Sequence, residues 1–158
     1  MEGVLRKLTT TFAMDGTVRW IGVRPDRREP MIVVDSAEIE LTGLVGDRRA
    51  TPGKRAVSLI QWEHLPVIAA LLGKEAVAPE QLRRNIAVSG INLLGLRKAE
   101  FRIGTALLRG TGLCAPCSRM EEELGCGGYS AVRGHGGITA EVIEAGTFGI
   151  GADIVPLN

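Results

Sequence analysis

The chain has 158 residues, 45% of them apolar and 23% charged, and carries a net charge of +1. That length suits one domain, burying about 70% of its unfolded surface without staples. The composition excludes whole-chain disorder, and the near-neutral charge argues against a nucleic-acid binder, whose affinity rests on neutralising phosphates.

In chain order, β-branched and apolar residues predict strands over residues 4–11, 17–23 and 31–41, with Asp15-Gly16 as a hairpin turn between the first two. Residues 25–30 read as a polar loop, and Gly43, Gly46, Pro52 and Gly53 break the next stretch into an irregular basic loop. A strand is expected over 56–60 and a helix over 62–72, where Leu65, Ile68, Ala69 and Leu72 form one apolar face and Gly73 is the stop. One helical turn follows at 79–83, then short strands at 86–88, 101–103 and 106–109. A second helix is expected over 117–124, and strands at 138–144 and 154–155. Strands outnumber helices without regular βα alternation, which predicts a mainly β fold, barrel or sandwich, carrying a few helices. The 21 glycines are spread rather than periodic, as tight turns between short strands require.

No apolar run approaches the ~20 residues of a membrane span. Residues 1–11 lack the apolar core of a secretory signal, and three Cys make no disulfide framework. The expectation is a cytoplasmic protein with neither membrane nor nucleic acid as partner.

The most informative segment is Gly110-Thr111-Gly112-Leu113-Cys114-Ala115-Pro116-Cys117-Ser118-Arg119-Met120. Cys117 follows a Pro and opens the expected helix, with Arg119 nearby. Both features favour thiolate, the form that attacks or binds metal; the alternative is a buried structural cysteine. Cys114 and Cys117 also form a Cys-x-x-Cys. As a zinc site it lacks paired ligands among Cys126, His64 and His135, and as a redox pair it lacks a βαβ context.

A second group is basic: Asp47-Arg48-Arg49, Lys54-Arg55, Leu82-Arg83-Arg84-Asn85, Arg119 and Arg133. Fifteen of the nineteen positive residues are Arg, whose planar fork suits phosphate and carboxylate. Such loops make anion sites, or are simply solvated charge. In Arg133-Gly134-His135-Gly136-Gly137 the glycines permit close backbone approach, and His135 is either a ligand or proton donor or an exposed turn residue.

Several pieces together resemble a stand-alone MOSC domain, the module related to the C-terminal part of molybdenum cofactor sulfurases. They are Gly46-Asp47 before a basic loop, Ala56-Val57-Ser58-Leu59-Ile60 before a helix, Arg84-Asn85-Ile86 and Gly90-Ile91-Asn92-Leu93-Leu94. Phe101-Arg102-Ile103-Gly104, Pro116-Cys117, Arg133-Gly134 to Gly137 and Gly146 complete the match, which runs from about Met31 to Val155. The resemblance implies a closed β-barrel of the pyruvate-kinase type. It also implies a molybdopterin-type molybdenum cofactor with Cys117 as metal ligand or sulfur carrier. Lys54, Arg55, Arg84 and Asn85 would then contact the pterin phosphate and polar edge, with Arg119, Arg133 and His135 completing the binding set. The loops around Lys54, Arg84 and Gly134 are expected to converge on Cys117. The implied activities are reduction of N-hydroxylated compounds, fed by an electron-donor protein, and sulfur transfer, fed by a cysteine desulfurase. A metal-free thiol/disulfide protein or a non-catalytic binding module is the alternative. The chain departs from the family pattern at Arg48, Ala115 and Gly151-Ala152-Asp153, and Cys114 is an extra thiol.

Overall fold

A computed structural model describes residues 2–48 and 52–157, so Arg49 of the basic loop lies outside the described residues. The chain opens with a helix, α1 (Glu2–Thr9), followed by β1 (Gly16–Val23), β2 (Ile32–Val34), β3 (Ser36–Glu40), β4 (Gly43–Leu44) and β5 (Val57–Gln61). Two helices, α2 (His64–Leu71) and α3 (Pro79–Leu82), lead to β6 (Ile86–Ser89). A 3₁₀ turn (Leu93–Leu96), β7 (Glu100–Ile103) and β8 (Ala106–Leu113) come next, then α4 (Ser118–Leu124) and α5 (Gly128–Val132). The chain ends with β9 (Ile138–Glu144), β10 (Gly146–Gly149) and β11 (Asp153–Pro156).

Seven strands close into a ring in the order β11-β7-β8-β9-β5-β6-β1, with β1 pairing back to β11 at Gly16↔Ile154. All neighbours are antiparallel except β5 and β6. A parallel pair cannot be joined by a tight turn, and α2 and α3 supply the crossover. The fold is therefore the expected mainly β closed barrel, and a small sheet, β10-β3-β4, flanks it.

Two apolar clusters use opposite faces of the same strands. Ile21, Leu59, Ile86, Val88, Leu108, Ile138 and Ile154 fill the inside of the barrel. Trp20, Ile60 and Ala87 point outward and are covered by Ile68, Leu82, Met120, Leu124 and Val132 of the helices. Strands covered on both faces read as continuous apolar runs rather than alternations, and β5 and β6 are buried at every position.

Three expectations are corrected. Residues 4–11 are not a strand: Val4, Leu5 and Leu8 recur at helical spacing, and α1 takes most of the segment. Asp15-Gly16 is therefore no hairpin turn. Gly16 begins β1, where an added Cβ would run into Ile91. Residues 31–41 are not one strand, because the chain leaves the β1 edge at Asp35 and its continuation pairs with β10 instead. β8 also runs four residues past the expected strand, and β4, β10, α5 and the 3₁₀ turn carried no clear signal in the sequence. No helix among the described residues is long and apolar enough to cross a membrane.

Candidate functional site

Asp47 organises one wall of the site. Its carboxylate, 1% exposed, takes a bidentate pair from Arg24 (Nε at 3.2 Å, Nη2 at 3.1 Å) and also accepts from the Arg24 backbone N–H at 2.7 Å. It accepts a further bond from Asn85 Nδ2 at 3.3 Å. Asn85 is fully buried and spent on structure: it donates to the Gly22 carbonyl, while its Oδ1 accepts from the backbone and hydroxyl of Ser58. Asp47 and Asn85 thus tie the start of β6 to β1 and β5.

Arg84 and Arg83 act as brackets. Arg84, 5% exposed, donates to the carbonyls of Leu82 (3.0 Å), Ala115 (3.3 Å) and Gly136 (2.9 Å). One guanidinium therefore joins the start of β6, the Cys-x-x-Cys segment and the glycine loop before β9. The Cys114 N–H, donating to the Gly137 carbonyl at 2.8 Å, closes the same junction. Arg83 sits in the left-handed region (φ 57°) and donates to the carbonyls of Glu29, Asp26 and Arg27, holding the loop after β1 against the site. Burial first, then the charge of Arg119, with Arg24 and Arg48 adding to it, pushes the Arg83 guanidinium below its ordinary range.

These segments enclose a cleft of about 370 Å³. Seven arginines line it: Arg24, Arg27, Arg28, Arg48, Arg83, Arg84 and Arg119. Among the described residues Glu122 is the one carboxylate exposed to the cleft, Asp47 lying behind Arg24, and Cys117, Ser118 and Met120 complete the lining. Glu122 and Glu123 pair with Arg119, Glu122 also reaches Arg28 at 3.6 Å, and Asp47 pairs with Arg24. Among the described residues Arg27, Arg48, Arg83 and Arg84 have no carboxylate partner, so the cleft keeps positive charge to spend on an anion. Cys117 caps the start of α4 in extended conformation and is exposed, whereas Cys114 is buried.

Of the residues singled out in the sequence, Cys117, Arg48, Arg83, Arg84 and Arg119 face this one cleft. Asn85 lies behind it, in the buried network. Lys54 and Arg55 are exposed and are not among its lining residues; the Lys54 backbone carbonyl accepts from the Thr111 hydroxyl. Arg133 is exposed. His135 faces His64 instead, with the two Nδ1 atoms 3.3 Å apart and the rings edge to face. Burial, then the charge of His135, lowers the His64 pKa. The glycine loop thus reaches the site through its Gly136 carbonyl, not its histidine. Arg24, Arg27 and Arg28 were not singled out, although three Arg within five residues is itself a signal for an anion-facing loop.

Residues 40–155 match the family model of the MOSC domain. Among solved structures, the chain is similar to the YuaD protein of Bacillus subtilis at 20% identity and TM-score 0.78, covering 91% of this chain and 97% of that one. It is also similar to YiiM of Escherichia coli (21% identity, TM-score 0.73, 92% and 70% covered). YiiM of Geobacillus stearothermophilus is a further likeness (17%, 0.76, 90% and 75%). At these identities the likeness establishes the fold. No curated protein matches the chain.

Proposed function

Because the chain belongs to the MOSC domain family, we propose that its arginine-lined cleft holds a molybdenum cofactor, with the Cys117 sulfur as metal ligand or sulfur carrier. The observation that carries this reading is an exposed thiol on the wall of a cleft lined by seven arginines. The donor set fits such a group. A phosphorylated pterin asks for forked cationic donors, and molybdenum accepts a soft thiolate. No group of three or more His, Cys, Asp or Glu among the described residues could hold a metal by itself. A metal here would therefore arrive with ligands of its own, as it does in a pterin cofactor.

When bound, the cofactor supplies a metal centre for two-electron reduction or for handling a transferred sulfur. The chain's own residues do the rest. Arg27 and Arg48, without carboxylate partners among the described residues, supply charge to the phosphate. Arg84 fixes the Ala115 and Gly136 carbonyls, and so the segment that presents Cys117. Arg119, held by Glu122 and Glu123, sits two residues beyond the thiol and keeps positive charge beside it. The protein works in the cytoplasm, where its three free cysteines stay reduced, with an electron donor or a cysteine desulfurase as partner.

The test is molybdenum and pterin content, with persulfide loading measured in parallel, in protein from a cofactor-replete host. Cys117→Ser is expected to lose metal or persulfide, and Cys114→Ser to retain most of it. Full retention of both in Cys117→Ser sinks the reading. A wild type that takes up neither, yet forms a reversible Cys114–Cys117 disulfide, turns it into the metal-free alternative.

A further inference from the structure

We propose that α1 is the docking element of a symmetric homodimer, seated in the groove between α2 and α3 of a second copy. The side chains of α1 from Gly3 to Thr9 are all exposed, including Val4 at 62%, Leu5 at 59% and Leu8 at 66%. At about 100° per residue these three share one face. An isolated helix of eight residues does not hold its shape in water on helical propensity alone. Its apolar face therefore asks for a cover, and none of the described residues of its own chain supplies one.

The same chain carries an unfilled match. Beside α2 and α3 lies a groove of about 480 Å³ with Trp62, Leu65, Pro66 and Val77 as its apolar lining and Glu63 and Glu75 as its acidic members. Both Glu63 oxygens are already used, one accepting from Gln61 Nε2 and the other from the Gly90 N–H, each at 2.9 Å. Glu75 has no ion-pair partner among the described residues, and neither has Lys7, which flanks the apolar face of α1. Apolar face meets apolar groove, and Lys7 meets Glu75.

A second copy is the occupant because it supplies both halves at once. In a two-fold pair each α1 fills the other's groove through the same contact, leaving neither unmatched. The root of the helix favours this arrangement. Phe12 packs on the barrel core, its ring occupying the space a side chain at Gly95 would need. The Met14 side chain lies against Gly90, the residue that bonds to Glu63. Helix root and groove rim thus adjoin, so the two seats of a dimer form one continuous interface around the axis.

Sedimentation velocity of the full chain over a concentration series tests the proposal. The wild type is expected to dimerise. Leu5→Glu, a change on the exposed face that leaves the barrel untouched, is expected to raise the dimer Kd at least tenfold. Lys7→Glu and Glu75→Lys should each weaken the dimer, and the double variant Lys7→Glu/Glu75→Lys should recover most of the loss. Vesicles of anionic phospholipid form a second arm. A wild type monomeric at every concentration, a dimer indifferent to Leu5→Glu, or a double variant no tighter than its singles would overturn the proposal. So would monomeric protein that binds the vesicles through α1.

Discussion

Arg84 shows how a residue chosen for its charge does structural work. The sequence suggests a ligand contact, and the residue does line the cleft, but three backbone carbonyls from three segments are already hydrogen-bonded to it. Charge-assisted bonds to a buried group contribute roughly 1.5–3 kcal/mol each, and they are not additive. Arg84→Ala is therefore expected to cost about 3 kcal/mol in urea denaturation as well as weakening anion binding. Arg84→Lys should recover little of either, because a single ammonium cannot span the fork. A loss of binding with unchanged stability would mean the bracket carries no weight. The histidine pair makes a second prediction at this scale. Unfolded, His64 titrates near ~6.5, while burial and His135 lower its folded value. The stability that neutral His64 contributes is therefore complete above the unfolded value and is lost as pH falls through the lowered one. As pH falls below the unfolded value of ~6.5, the wild-type Tm should fall more steeply than that of His135→Asn, which removes the repelling charge; parallel curves would contradict this.

Among the elements, those that obey one local rule were legible. The helix at 62–72 and the strands at 17–23, 86–88 and 101–103 were readable because apolar periodicity and turn residues agree there. Residues 4–11 look like a strand because their β-branched and apolar content masks the helical spacing of Val4, Leu5 and Leu8, which α1 follows. The break at Asp35 was hidden because β2 and β3 each look like strand, and only their partners differ. The cleft was half legible for the same reason. Cys117, Arg84 and Arg119 stand out in the sequence, whereas Arg27 and Arg28 join them only because Arg83 holds their loop in place. Glycine at 137 belongs to this scale. With φ at +85°, a Cβ there would meet the Leu59 backbone in β5. Gly137→Ala is expected to destabilise the protein by about 3 kcal/mol or more and to loosen the Cys114 segment that bonds to its carbonyl. A variant as stable as wild type by thermal melting would show that the β5–β9 junction has room to relax.

Across the whole molecule, the barrel wall serves two cores, and the cleft belongs to the outer one: Met120, which lines it, is buried against the helical layer rather than inside the barrel. Emptying the inner core should therefore damage the site only by unfolding the protein. Leu108→Ala, fully buried inside, is expected to cost about 2–5 kcal/mol while folded molecules bind anions with unchanged affinity, as titration calorimetry below the melting range would show. The ring itself closes through its first and last strands, Gly16 against Ile154. During synthesis the earlier strands must wait with an open seam until β11 has left the ribosome, so the nascent chain depends on late sealing. The same seam sets β1 beside β11, so a circularly permuted gene could begin elsewhere in the ring and still encode the same barrel.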